Sequence, residues 1–302
     1  MVTLFYIIKL DKNGEAKHHY RAHTMSKSIF SKRWFFNLSH FGVEKSIYGT
    51  AEEESKIEYN FFSNLIVNIL NRQRGGDLEH IDLWAFFGFC QRMLDSSQSQ
   101  IYQDLWVLFM LAEKRQGYFV EFGACDGVLL SNTFLLEKSY GWTGLLAEPN
   151  PAWYKRLTES RNAICVSECV SSHTGDIIEF LITEERPELS RMAKIVPDDV
   201  HERNGNRDNV KKINVSTVSL LDLLREQNAP KVIDYLSIDT EGSEYEILKN
   251  FDFSAYSFRL ITVEHAGESD KRQKIQELLE SHNYTRWHTS ISRWDDWYVG
   301  RV

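Results

Sequence analysis

The chain has 302 residues, of which 42% are hydrophobic and 26% are charged, and its formal net charge at pH 7 is -8. This composition is typical of a folded globular protein that buries a core without disulfides or a structural metal. The negative charge argues against a nonspecific nucleic-acid surface, so we expect no nucleic-acid partner.

The cysteines and the apolar segments indicate the cellular compartment in which the protein is expected. Cys90, Cys125, Cys165 and Cys169 form no CxxC pair and no Cys/His metal spacing, which is typical of buried thiols in a reducing environment. No apolar run reaches the ~20 residues that a membrane span needs. The apolar start of the chain lacks the basic region and the cleavage site of a signal peptide. We therefore expect a cytoplasmic protein without a transmembrane segment.

Residues 1–97 are predicted to form a partly helical N-terminal extension. A strand is expected at residues 2–10. Apolar residues then recur at helical spacing over three segments, residues 61–70, 81–94 and 101–114. The polar stretch at 95–100 is the candidate domain boundary, and residues 98–302 would form the second domain.

From residue 118 onward, predicted strands alternate with predicted helices. The strands are expected at residues 118–122, 144–147, 164–170, 177–182, 213–218, 232–238 and 260–263. The helices are expected at residues 131–140, 152–160, 219–227 and 243–250. Continuous apolar strands joined by helices indicate a mostly parallel sheet that is covered on both faces. Residues 284–291 and 297–299 are expected to close it as an antiparallel hairpin.

The turn after the first of these strands is the most informative segment. Residues 118–127 read YFVEFGACDG, so a buried strand enters a turn in which Gly123 and Gly127 allow the backbone to approach a ligand. The GxGxxG fingerprint of dinucleotide-binding proteins is absent. Glu121 and Asp126 make the loop acidic, which disfavours a pyrophosphate. The same charge suits the cationic sulfonium and ammonium groups of S-adenosylmethionine.

The second and third strands add to this nucleoside site. Glu148 ends the second strand, where a carboxylate can accept hydrogen bonds from both ribose hydroxyls. Glu168 and Cys169 lie where an adenine would contact the third strand. The candidate cofactor-binding residues are Glu121, Gly123, Ala124, Asp126, Gly127, Asn132, Glu148, Pro149, Glu168, Cys169 and Asp239.

Acids and a histidine follow the fourth and fifth strands. A histidine that titrates near neutrality can accept the proton that a hydroxyl loses when it attacks a methyl group. His265, Asp239 and Glu241 are therefore the candidate catalytic residues. Asp239, Glu264 and His265 are alternatively candidate ligands of a divalent metal ion. The sequence alone does not distinguish a catalytic base at His265 from a metal site that includes it.

These segments resemble the FkbM family of methyltransferases. The resemblance begins at Gln103-Asp104-Leu105-Trp106 and covers about residues 98–302. It continues in the family's order through residues 117–127, 131–137, 141–144, 148–151, 233–246 and 263–265. Ser237 stands where many members have a lysine, and Ala266 where an asparagine often follows the Glu-His pair. The resemblance implies a class I methyltransferase fold (Rossmann-like), S-adenosylmethionine as methyl donor and, usually, transfer to an oxygen.

The sequence thus predicts an α/β protein that methylates a hydroxyl of a sugar, a glycan or a natural product. Two alternatives remain. The chain could be a non-catalytic interaction protein that retains the fold. It could also be an NAD-dependent oxidoreductase, although the acidic loop and the missing GxGxxG speak against that. The polar insertion at residues 184–209 is expected to form a lid over the acceptor.

Overall fold

The computed structural model describes residues 5–10, 16–21, 81–197 and 200–301. The chain divides into two compact units, Met1–Leu78 and Glu79–Val302. In the first unit, β1 (Phe5–Leu10) and β2 (Ala16–Arg21) form an antiparallel pair. The helical segment expected at residues 61–70 lies outside the described residues.

The second unit contains two sheets. In chain order its strands are β3 (Tyr118–Phe122), β4 (Thr143–Ala147), β5 (Ile164–Val166), β6 (Cys169–Ser171), β7 (Ile177–Thr183), β8 (Arg191–Met192), β9 (Val210–Ser219), β10 (Val232–Ile238), β11 (Ser257–Glu264), β12 (Tyr284–Trp287) and β13 (Asp295–Gly300). The main sheet has the order β12-β13-β11-β10-β3-β4-β5, and the smaller sheet has the order β6-β9-β7-β8.

The main sheet is doubly wound. The chain moves outward from β3 through β4 to β5 and later returns to place β10 and β11 on the other side of β3. These five strands are parallel, whereas β13 runs antiparallel to β11 and β12. The strand order therefore reverses at β3, and ligands bind at such a switch point in open α/β sheets. This topology confirms the α/β, class I methyltransferase fold expected above.

Helices cover the sheet. They are α1 (Ile81–Met93), α2 (Gln103–Met110), α3 (Phe134–Tyr140), α4 (Pro151–Ser160), α5 (Val200–Arg203), α6 (Leu220–Glu226), α7 (Glu244–Lys249) and α8 (Ser269–Ser281). Neighbouring residues on β3 face opposite cores: Phe119 packs with Trp106 of α2, and Val120 packs with Leu223 of α6. Both faces of the sheet are thus buried, which explains why its strands are apolar throughout.

Helix α1 packs on the main sheet of the second unit. Phe86 lies with its ring centroid 5.4 Å from that of Trp287 and 6.1 Å from that of Trp297. The second unit therefore begins upstream of the boundary expected at residues 97–98, because α1 contributes to the same aromatic core. The described helices include none with the length and apolarity to span a membrane.

Two segments differ from the expected elements. The single strand expected at 164–170 is split, because β5 is the edge of the main sheet and β6 pairs with β9 in the smaller one. Helix α8 was not expected, because it buries only Ile275 and Leu279 among thirteen residues and therefore carries a weak apolar pattern.

Candidate active site

A pocket opens at the carboxyl ends of β3, β4 and β10, where the strand order reverses. It is partly enclosed by protein and partly open to solvent. The lining combines predicted site residues with residues of the insertion: Phe122, Gly123, Cys125, Ala147, Glu148, Pro149, Cys169, Val170, Phe180, Pro187, Glu188, Ser190, Asp239, Thr240 and Glu241. We call it the donor pocket.

Glu148 is held in the wall of the donor pocket by backbone amides. The N–H of Cys125 donates to its Oε2 at 2.9 Å, and the N–H of Asn150 donates to its Oε1 at 2.8 Å. Each oxygen keeps a second lone pair for a ligand hydroxyl. Burial raises the pKa of Glu148 to about 7, and these two hydrogen bonds act in the opposite direction. The geometry therefore suits the acceptance of a pair of vicinal hydroxyls.

The loop after β3 approaches β10 closely. Gly123 has φ +73, and a Cβ added there would collide with the carbonyl oxygen of Asp239. Only glycine fits both the left-handed backbone and this approach. Ala124 is buried and its N–H donates to the carbonyl of Ala147 at 3.3 Å, which ties the loop to β4.

Three predicted cofactor residues of this loop make contacts within the protein. Both oxygens of Glu121 are engaged with the start of α3, since Asn132 N–H donates at 2.7 Å and the Thr133 hydroxyl at 2.5 Å. Asp126 accepts from backbone amides within its own turn. Gly127 faces α4, where an added Cβ would lie 2.6 Å from side-chain carbons of Leu157 and Arg161. None of the three belongs to the described lining of the donor pocket.

Of four further predicted cofactor residues, Pro149 and Cys169 line the donor pocket, whereas Asn132 and Glu168 are not part of its described lining. Asn132 is buried and its Nδ2 donates to the hydroxyl of Ser237 at 2.9 Å, which connects α3 to β10. Cys169 lines the pocket, whereas the half-buried Glu168 is not part of the described lining. Pro149 lines the pocket next to Glu148.

An acid cluster lies at the ends of β10 and β11. Asp239, Glu241 and Glu264 each offer a carboxylate oxygen within 4.8 Å of the others. Burial first, and then the charge of neighbouring carboxylates, raise the pKa of Asp239 and of Glu264 well above the usual range. The carboxyl groups of Asp239 and Glu264 lie close enough to interact directly. Asp295 of β13 lies beside them with a pKa of about 7, raised by burial.

Glu244 shapes the loop that carries two of these acids. Its fully buried Oε1 accepts hydrogen bonds from the N–H groups of Thr240 and Gly242 at 3.0 and 2.9 Å. Lys271 of α8 lies 3.3 Å from its other oxygen. Glu244 therefore fixes the Asp239–Glu241 turn, in which Glu241 adopts a left-handed φ of 56.

His265 is not part of the acid cluster. The N–H of Gly267 donates to its Nδ1 at 3.0 Å, so the proton of the neutral ring sits on Nε2. Burial lowers the pKa of His265 to about 4. Neither nitrogen offers a free lone pair at neutral pH, which disfavours the predicted role as a base. His265 also lies outside the group of possible metal ligands, where Glu241 joins Asp239 and Glu264 instead.

The insertion at residues 184–209 folds against the donor pocket. Pro187, Glu188 and Ser190 contribute to the lining, and a Cβ on Gly242 would collide with Ile195. Arg207, with a side chain only 1% exposed, forms an ion pair with Glu241. The insertion is thus fastened to the turn that carries the acids, as a lid over this edge would require.

Comparison with known proteins identifies the family. The Methyltransferase FkbM domain matches residues 121–287, more than half of the chain. The chain belongs to the FkbM methyltransferase family. The match contains β3, the donor pocket and the acid cluster, so the family's region coincides with the site described above.

One curated relative is the hexuronic acid methyltransferase AglP of Haloferax volcanii. It is 26% identical over 160 residues, which are 51% of this chain and 59% of that protein. The chain therefore spans less than two thirds of its length. That protein is named for a hexuronic acid substrate.

Solved structures with a similar fold include two human methyltransferase domains. The methyltransferase 10 domain containing protein is 15% identical, with 65% of this chain and 78% of that chain covered at a TM-score of 0.35. The N-terminal domain of METTL16 in complex with SAH is also 15% identical, with 64% and 66% covered at a TM-score of 0.33. Because these TM-scores are low, the fold assignment depends on the strand order of the main sheet and on the family match.

Sequence reasoning missed several residues of the site. Cys125 and Thr240 occupy the same strand-end loops as the predicted residues. Their position after a strand could therefore have placed them in the site. Glu188, Ser190 and Asp295 come from the insertion and from β13, and no local pattern places them at the carboxyl edge of β3 and β10.

Proposed function

We propose that the protein is an S-adenosylmethionine-dependent O-methyltransferase that acts on a hydroxyl of a sugar or glycan. The observation that carries the proposal is the donor pocket at the switch point, with Glu148 on one side and the acid cluster on the other. Membership of the FkbM family supports methyl transfer, and the name of the hexuronic acid methyltransferase relative favours a sugar acceptor.

The residues present fit this donor. Both oxygens of Glu148 retain lone pairs for the ribose hydroxyls, and the acid cluster offers negative charge to a sulfonium and an ammonium group. The repulsion that raises the pKa of Asp239 and Glu264 would be relieved by a nearby positive charge. When bound, the donor would supply an electrophilic methyl group.

The acid cluster favours a neutral hydroxyl over a carboxylate as the attacking group. A carboxylate would be repelled by Asp239, Glu241 and Glu264, whereas a hydroxyl can donate its hydrogen to one of them. We assign the acceptance of this proton to Asp239, whose ionised form the positive charge of the bound donor would favour. Glu241 would orient the acceptor under the lid. No metal ion is part of this proposal.

The test is the transfer of a labelled methyl group from S-adenosylmethionine to a panel of sugars. We expect products whose label survives mild alkaline hydrolysis, because methyl ethers resist base and methyl esters do not. Label released by base would contradict the O-ether assignment. Tight S-adenosylhomocysteine binding without turnover on any hydroxyl acceptor would favour the non-catalytic alternative instead.

A further inference from the structure

The end of α4 contacts the loop that follows β3. The hydroxyl of Ser160, the last residue of α4, donates to the carbonyl oxygen of Asp126 at 2.7 Å. The guanidinium group of Arg161, directly after the helix, donates from Nη1 to the carbonyl oxygen of Gly127 at 3.0 Å. Two consecutive side chains thus hold two consecutive carbonyl groups of the loop from outside its own turn.

The guanidinium group of Arg161 is also fixed by other polar side chains. It is fully buried and donates to the carboxylate of Glu137 at 2.8 Å and to the hydroxyls of Thr133 and Ser131 at 2.9 and 3.1 Å. Both hydroxyls in turn donate to the carboxylate of Glu121 on β3. Arg161 therefore offsets the charge of two buried carboxylates and connects α4 with β3 and with the start of α3.

The start of α4 contacts the carboxylate that is expected to bind the ribose. The N–H of Asn150, the N-cap residue of α4, donates to Glu148 at 2.8 Å, and the Asn150 side chain accepts from the N–H of Ala152 at 3.1 Å. The other oxygen of Glu148 accepts from the N–H of Cys125 in the loop after β3. Helix α4 is thus joined to Glu148 at its start and to the loop at its end, and the loop itself is joined to Glu148.

This closed series of contacts surrounds one side of the donor pocket. Gly123 and Cys125 line the pocket, whereas Asp126, Gly127, Ser160 and Arg161 are not part of its described lining. A shift of the loop would change the lining at Gly123 and would also move the Cys125 amide away from Glu148. The contacts at the end of α4 therefore reach both parts of the pocket without touching its contents.

We infer that Ser160 and Arg161 are positioning residues for the methyl donor, which hold the loop after β3 in the conformation that lines the donor pocket. This inference rests on the proposed function, because it takes S-adenosylmethionine as the ligand of that pocket. The two residues act through the carbonyl groups of Asp126 and Gly127. A site is held to its productive geometry by such supporting hydrogen bonds, and their loss weakens binding without removing any contact to the ligand.

The test compares Ser160→Ala with a matched control, Thr158→Ala, in the full chain. Each hydroxyl lies within hydrogen-bond distance of the carbonyl oxygen three residues earlier in α4, at 3.1 Å for Ser160 and 2.8 Å for Thr158. Only the Ser160 hydroxyl is also bonded to the loop after β3. Calorimetry with S-adenosylhomocysteine should show binding weakened by about threefold to tenfold in Ser160→Ala. Binding to Thr158→Ala should equal that of the unmodified chain.

Arg161→Lys tests the second contact. Lysine keeps the charge between the two buried carboxylates but cannot supply the guanidinium's set of donors, so donor binding should weaken by at least about tenfold. In steady-state kinetics the KM for the donor should rise in Ser160→Ala and in Arg161→Lys, with kcat and the KM for the acceptor little changed. A purely structural role would lower the melting temperature of these variants and leave the donor affinity of the folded chain unchanged.

The binding measurement separates this inference from the proposed function. Unchanged S-adenosylhomocysteine affinity in a folded Ser160→Ala variant, or an equal loss in Thr158→Ala, would overturn the positioning role and leave the methyltransferase intact. Binding that depends on Ser160, together with a failure of methyl transfer to every sugar, would refute only the proposed activity. Absence of S-adenosylhomocysteine binding in the unmodified chain would refute both.

Discussion

The donor pocket and the pocket beyond β11, which is lined by Arg272, Arg286 and Arg293, share no described lining residue and differ in charge. The donor pocket is lined by backbone and by Glu148, Asp239 and Glu241, whereas the second pocket presents three guanidinium groups, of which those of Arg272 and Arg286 bind Asp296. Substitutions in and around the donor pocket test this difference, and replacement of Asp239 is expected to have the largest effect.

Replacement of Asp239 by asparagine should abolish most of the turnover. The variant keeps the side-chain volume and loses the proton acceptor, so kcat should fall by about 10²–10⁴. Single-turnover kinetics with labelled donor would measure the loss. Asp95→Asn, an exposed aspartate outside both pockets, is the control and should retain full activity. A fully active Asp239→Asn variant would remove Asp239 from the proton-transfer role.

Gly123→Ala should destabilise the fold much more than Gly141→Ala. Both glycines have positive φ, but only Gly123 also faces a close backbone oxygen, whereas an added Cβ at Gly141 meets nothing within 4 Å. The left-handed backbone alone costs about 1–2 kcal/mol, and the overpacking at Gly123 adds about 1–3 kcal/mol. Denaturant unfolding of both variants measures the difference, and equal free energies of unfolding would mean that the loop after β3 does not approach β10 this closely.

Donor affinity should depend on pH through Glu148. Its pKa is about 7, and the ionised form is the better acceptor for two ribose hydroxyls. Between pH 6 and pH 8 the affinity for S-adenosylhomocysteine should therefore rise by about tenfold, following the ionised fraction. Glu148→Gln should bind more weakly and without this dependence. A pH-dependent Glu148→Gln variant would assign the titration to another group.

His265→Ala should have the smallest effect on chemistry. Its Nδ1 is occupied and its pKa of about 4 keeps the ring neutral, so kcat should change by no more than about threefold. The KM for the acceptor should also change little, because His265 is not part of the described lining of the donor pocket. Steady-state kinetics would separate the two parameters. A large loss of kcat with unchanged KM would return His265 to the role of base that the sequence suggested.

Many lining residues of the donor pocket could be predicted from the sequence because they directly follow strands. Gly123, Glu148 and Asp239 each come within two residues of a strand's end, and parallel strands bring those ends to one edge. The interpretation of Glu121 and Asp126 could not be settled in that way. An acid in such a loop can face a ligand or can accept hydrogen bonds from backbone amides of the protein. Which of these occurs depends on where the neighbouring amides lie.

The pocket beyond β11 was not predictable for a different reason. Arg272, Arg286 and Arg293 lie on α8, on β12 and in the following segment, and Asp296 of β13 brings the first two together. No periodic spacing connects these positions, and α8 itself has a weak apolar pattern. The orientation of His265 likewise depends on the amide of Gly267, which a sequence pattern does not reveal.

The most direct test of the central claim is a titration of the intact chain with S-adenosylhomocysteine and, separately, with NAD. The account predicts saturable binding of S-adenosylhomocysteine that is weakened in Glu148→Ala and retained in Arg293→Gln, together with no binding of NAD. Binding of NAD, or indifference of S-adenosylhomocysteine to the loss of the Glu148 carboxylate, would contradict it.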